Sequence, residues 1–211
     1  TLTFTATKKD ASTTILTAIV DFVDSEGVEN SYNWFTCEDT TESLQAAGSA
    51  GVSYVDGNGG SMAIDNFTYA TTDELAPVKV AIDNFENDTL NASWSETKDG
   101  VITLENGSMA IGFSGNYDSN SFINNRAVYS NQYYSGVVNQ FVEVHVPVSD
   151  IDNKAVTGEG ASYPVIWLRD QTVNGTQVGY YAIYNGTGLS INRRNADGNV
   201  TTIGKSAYFV L

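Results

Sequence analysis

The stretch VVNQFVEVHVPV, residues 137–148, alternates more strictly than any other in the chain. Val142, Val144, Val146 and Val148 fall on one side of an extended backbone, and Phe141, Glu143 and His145 on the other. Successive side chains of a strand point to opposite faces, so a period of two with β-branched residues on one face predicts a half-buried strand. The four valines are expected to look into a dry interior, which requires a second layer over them.

The same period recurs on both sides of this stretch. LTFTAT (2–7) sets Leu2, Phe4 and Ala6 against threonines, and ILTAIVDF (15–22) places Leu16, Ala18, Val20 and Phe22 on one face. KKDAST between them reads as the turn of an antiparallel hairpin. SMAIDNFTYA (61–70) offers Met62, Ile64 and Phe67 to a core. Further strands are expected in VAIDNF (80–85), GVITLENGSMAIGF (100–113), NRAVYSNQ (125–132), YPVIWLRD (163–170), VGYYAIYN (178–185), LSINRRN (189–195) and SAYFVL (206–211). NG, NGTG and ADGN turns of the hairpin-forming kind punctuate them. Closely spaced strands without helical crossovers predict an all-β, two-sheet antiparallel sandwich.

Residues 24–60 are less regular. DSEGVENSYNWF (24–35) reads as a loop leading into a short strand. TTESLQAAG (40–48) predicts one or two helical turns, opened by Thr41 and Glu42 and ended by Gly48. The glycines at 57–60 do not follow a strand–helix phosphate pattern, so a nucleotide loop is not expected. GGSMAID (59–65) and NGSMAIG (106–112) form a short internal echo. TTDELAPVK (71–79) combines charge with a proline and few large apolar groups, the signature of a linker or long turn. It separates residues 1–71 from 82–211, with 72–81 between them.

Hydrophobic residues make up 41% of the 211 and aromatics 11%, ample for a core. Ten Lys and Arg stand against 25 Asp and Glu, a formal charge of −15. Such a surface repels nucleic-acid phosphates, and no apolar run approaches the roughly 20 residues that cross a bilayer. Neither nucleic-acid binding nor direct membrane insertion is expected. Cys37 is the only cysteine, which excludes an internal disulfide and multi-cysteine metal sites; it is expected to be structural. Seven N-x-S/T sequons begin at Asn66, Asn87, Asn91, Asn106, Asn174, Asn185 and Asn199. A chain this rich in Asn, Ser and Thr would show about four by chance, and the excess points to an extracellular or cell-surface location.

DNFEN (83–87) followed by GVITLENGSMAI (100–111), then VIWLRD (165–170), GYY (179–181) and LSINRRNADG (189–198), resembles the concanavalin A-like, laminin G-type jelly-roll superfamily. TLTFTATKK (1–9) and TILTAIVDF (14–22) resemble that family's later strands, and SMAIDNFTY (61–69) its closing strand. The resemblance implies a jelly roll whose order runs from about Ile82 to Leu211 and then from Thr1 to Thr71. Two accounts fit: a circular permutation, or one period of a tandem repeat completed by a neighbouring copy.

No catalytic motif stands out. The superfamily's glycoside hydrolases carry E-x-D-x-x-E on one strand; here only Glu143 stands on the comparable strand, with His145 two positions on and facing the same side. Related lyases use Gln-x-His, whereas Gln140 precedes His145 by five residues. For glycan binding, Trp167 and Arg169 are expected to share a strand face with Tyr181 beside them; an aromatic plane covers a sugar's C–H face while polar groups bond its hydroxyls. Glu143 and His145 complete the candidate glycan set. The resemblance also implies a structural Ca²⁺ near the terminal strands, with Asp65 and Asp83 in matching AIDNF segments and Asp56 and Glu86 as further oxygen donors. The leading expectation is a non-catalytic extracellular structural or adhesive repeat that assembles with copies of itself or tandem neighbours into a fibre. The alternatives are an independent carbohydrate-binding module and a polysaccharide-active hydrolase or lyase.

Overall fold

The computed structural model describes residues 1–23, 26–41, 44–55, 62–71, 80–87, 89–97, 102–112, 125–129, 138–146, 163–184 and 188–207, with the backbone alone at Phe22, Val55, Thr71, 29–34 and 80–82. Every regular element among them is a strand. In chain order these are β1 (Leu2–Lys8), β2 (Thr14–Val23), β3 (Glu29–Asp39), β4 (Ser49–Val55), β5 (Met62–Thr71), β6 (Val80–Asp83), β7 (Trp94–Glu96), β8 (Ile102–Glu105), β9 (Ser108–Ile111), β10 (Ala127–Tyr129), β11 (Gln140–His145), β12 (Tyr163–Val173), β13 (Thr176–Tyr184), β14 (Leu189–Arg194) and β15 (Val200–Lys205). No described helix is long and apolar enough to cross a membrane.

The strands make two antiparallel sheets that face each other as a sandwich. One has eight strands in the order β3-β2-β1-β11-β5-β9-β8, with β6 also paired to β5; the other has seven, β15-β14-β13-β12-β4-β10-β7. β11 holds Val142 and Val144 fully buried between the sheets, and Val146 packs against the same core half-buried. Val148 lies outside the described residues. From the first sheet Leu2, Phe4, Ala6, Leu16 and Ala18 meet Val52, Ile166, Leu168, Tyr180, Ala182 and Ile191 of the second. Burying a side chain of this size stabilises by about 1.5–3 kcal/mol, so this dry layer drives the fold. At the β7/β10 side the filling is aromatic: Phe67 meets Trp94 edge-on at 4.7 Å, and Trp94 meets Tyr129 at 5.3 Å.

The first and last thirds of the chain share both sheets. β11 pairs with β1 on one side and β5 on the other, and β4 lies between β12 and β10. Residues 72–79, most of the expected linker, lie outside the described residues. The two SMAI segments of the echo pair with one another: Met62 stands opposite Ile111, Ala63 opposite Ala110 and Ile64 opposite Met109.

Three local expectations are corrected. The short strand expected near residue 35 is the eleven-residue β3, paired along β2. The helical turns expected in 40–48 are absent among the described residues there. Their backbone groups are committed elsewhere: Thr41 O accepts from Arg193, Leu44 N donates to Tyr180 Oη at 2.8 Å, and Leu44 O accepts from Arg169. A helix cannot use groups already bonded to side chains. Three strands were not among the expected ones, β4, the three-residue β7 and the polar β15; of SAYFVL, Ser206 and Ala207 continue beyond β15 without strand structure and 208–211 lie outside the described residues.

Candidate functional site

Among the described residues the densest chemistry sits at one end of the sandwich, where β2, β3, β11, β12, β13 and β14 bring charged groups between and beside the sheets. Its origin is a β-bulge. Leu168 stands opposite Tyr180 and Gln171 opposite Val178, so Arg169 and Asp170 together oppose Gly179. Arg169 takes a φ of 51°. The extra residue breaks the alternation, and Arg169 turns inward while Trp167 stays outside.

Arg169 is fully buried. Its N–H donates to Gln140 Oε1 at 2.7 Å, Nε to Val138 O at 2.9 Å, and Nη1 to Thr14 Oγ1 at 2.8 Å and to Leu44 O. Gln140 Nε2 in turn donates to Gly48 O at 2.5 Å. A Cβ on Gly48 would overlap the Arg169 carbonyl, so this crossing requires glycine. Burial pushes the Arg169 guanidinium down to about 10. Beside it, Arg193 Nη1 donates to both oxygens of Asp39, at 2.7 and 2.5 Å, and Tyr180 Oη donates to Asp39 Oδ2 at 2.7 Å. Burial, then the Asp39 carboxylate, raises Tyr180 to about 12.

A second ion pair lies on the other side of the same sheet. Arg126 Nε stands 3.1 Å from Asp170 Oδ2, both side chains 1% exposed, and Gln177 Nε2 donates to Asp170 Oδ1. The Arg126 guanidinium carbon stands 4.9 Å from the centre of the Trp167 ring, a cation–π geometry. Burial lowers Arg126 and raises Asp170, each partly offset by the other's charge.

The expected glycan residues separate into three places. Trp167 and Tyr181 meet at 4.6 Å on the face of the second sheet away from the core, yet Trp167 is 0% and Tyr181 5% exposed, and Trp167 Nε1 donates to Ser53 Oγ at 2.9 Å. Burial raises Tyr181 to about 12. Arg169 does not share their face, because the bulge sends it inward. Glu143 and His145 stand on β11 in the first sheet; Glu143 is half-buried and accepts from Thr3 Oγ1 at 3.5 Å, and His145 is exposed. A bulge follows Val144 and places His145 opposite Asp65.

Of the expected calcium donors, Asp83 accepts from Phe85 N at 2.9 Å and Trp94 Nε1 at 3.3 Å, and so ties β6 to the aromatic cluster. Asp65 is half-buried, Glu86 is exposed, and Asp56 lies outside the described residues. Among the described residues no three of His, Cys, Asp and Glu come together as a metal-holding group. Of the sequon asparagines, Asn87, Asn91, Asn106, Asn174 and Asn199 are exposed, Asn66 is half-buried, and Asn185 lies outside the described residues. A cleft of about 360 Å³ lined by Leu44, Asn195, Ala196 and Asp197 opens beside the buried network. Its walls are already engaged: Asn195 Oδ1 accepts from Arg193 Nε, and Asp197 Oδ1 from Asn199 N.

The residues of this network, Asp39, Arg126, Gln140, Asp170, Tyr180 and Arg193, were absent from the expected site. Their one sequence signal is the presence of arginine and aspartate within apolar strands, as in VIWLRD and LSINRR. No protein-family model matches the chain, and neither a curated protein nor a solved structure matches it.

Proposed function

We propose that this chain is a non-catalytic structural or adhesive module of an extracellular surface, a jelly-roll sandwich of the concanavalin A-like, laminin G-type kind that associates with copies of itself. The observation that carries this reading is the use made of its charged side chains. Arg169, Arg193 and Asp39 tie strands to Thr41 and Leu44 in the interior, and Arg126, just before β10, pairs with Asp170 of β12. Groups held this way brace an architecture and are withdrawn from substrates.

Association is favoured by the first sheet's two outer strands, whose outer edges no described strand pairs, although β3 packs against β15. β3 runs for eleven residues at one end of the first sheet's order, and β8 ends the other side. Unpaired strand edges are templates for another chain. The permuted account draws support from β1, which pairs within its own chain to both β2 and β11. A neutral-glycan platform is less favoured, since the aromatic pair it needs lies buried beside Arg126.

Sedimentation over a wide concentration range, with and without a calcium chelator, tests the reading. A mass that grows with concentration is expected. A monomer at every concentration removes self-association, and saturable binding on a glycan array would replace it with the carbohydrate reading.

A further inference from the structure

Two Asn-Gly pairs in this chain occupy the same turn in different surroundings. Asn106-Gly107 joins β8 to β9, with Glu105 opposite Ser108, and Asn174-Gly175 joins β12 to β13, with Val173 opposite Thr176. All four residues have positive φ, 52° and 75° in the first and 51° and 81° in the second, the two-residue turn that a twisted hairpin favours. Asn106 and Asn174 are both exposed. The difference lies at the glycines. Among the described residues nothing lies within 4 Å of the Cβ position of Gly175, whereas the Glu86 carboxylate stands 3.0–3.2 Å from that of Gly107.

We infer that Asn174 is a site of spontaneous deamidation and that Glu86 shields Asn106 from the same reaction. The Gly175 backbone nitrogen attacks Cγ of Asn174, an N–C bond forms, and ammonia leaves with the proton lost by the nitrogen. The resulting five-membered imide is opened by water to aspartate or to its β-linked isomer. The sum is amide plus water to carboxylate plus ammonium, with no oxidant or reductant. The attacking nitrogen must shed its proton, so the reaction speeds up with pH. A carboxylate beside it disfavours the anion and slows the step, as a like charge raises any acid's pKa. Glu86 also crowds Gly107, where the turn must open before the attack. At Gly175 no described residue supplies either restraint within 4 Å. The product ends the Asn174 sequon as an acceptor, adds negative charge to a chain already at −15, and in the β-linked form inserts a carbon into the hairpin that aligns Gln177 with Asp170.

The test uses the full chain produced without N-glycans, held at mildly alkaline pH, and digested for peptide mass and isomer analysis. The Asn174 peptide is expected to convert several-fold faster than the Asn106 peptide in the folded protein, and the two rates to converge in urea. Glu86→Gln should raise the Asn106 rate and leave the Asn174 rate unchanged. Equal rates in the folded chain, conversion of Asn106 first, a difference that persists in urea, or an inert Glu86→Gln variant would each overturn the inference.

Discussion

Asp39 accepts two bonds from Arg193 and a third from Tyr180, all in a buried setting. A buried ion pair adds little net stability over a well-packed apolar substitute, but removing one partner leaves the other charge stranded. Asp39→Asn should therefore lower unfolding free energy by about 3–5 kcal/mol, measured by denaturant titration. Lys9→Ala should leave the midpoint in place, because the Lys9–Glu38 pair at 2.7 Å is solvent-exposed on both sides. The buried acids set the alkaline limit. Burial raises Cys37 from 9.0 to about 11, and Tyr180 and Tyr181 from 10.0 to about 12. In that range the folded chain holds protons that the unfolded chain releases, so this stability is complete below 9.0 and is lost as pH climbs to about 12. Arg169, lowered by burial to about 10, and Arg126, also lowered by burial, work in the opposite direction. Thermal midpoints should fall across this window, and Tyr181→Phe should flatten the fall; a flat wild-type profile would contradict the burial argument. At this scale the valines of β11 were legible because alternation is local. Arg169 was not, since a bulge is set by pairing with β13 and leaves no trace in the period.

Among the elements, the closure of one side of the sandwich is the most exacting. β3 and β15 are the edge strands of different sheets, and they meet through Gly204. A Cβ there would lie 2.9 Å from both Cβ and Sγ of Cys37 and 3.1 Å from the Phe35 ring. Gly204→Ala should destabilise by about 1–3 kcal/mol through overpacking, read as a shift in denaturant midpoint. Cys37→Gly should recover part of it, and additive losses in the double variant would show that the contact is not made. β15 escaped the sequence reading because VTTIGK carries one apolar face too weak to stand out, and Val200 is 44% exposed. The length of β3 is supplied by β2, whose ten residues give it a template. The 40–48 segment had helix-compatible residues, yet side chains more than a hundred positions away hold its backbone groups.

For the molecule as a whole, the pairing of β11 with both β1 and β5 makes cooperativity the central property. Residues 1–71 contain β1 to β5, but β4 belongs to the other sheet, between β12 and β10. Expressed alone, residues 1–71 should not fold, since β1 would lose β11 and β4 would lose both neighbours. Circular dichroism of that fragment checks this, and a cooperative melt would contradict it. Self-repulsion at −15 should also make the intact chain more stable as salt screens its charges.

Period-two patterning, absent helical crossovers and a sufficient supply of apolar residues determined by themselves that this chain is an all-β sandwich, because side-chain alternation and burial are properties of neighbouring residues. Which strands pair, where the bulge falls, and which arginine meets which aspartate were decided only by the tertiary structure. Those outcomes depend on contacts between residues as distant as Thr14 and Arg169, and no local period encodes a partner.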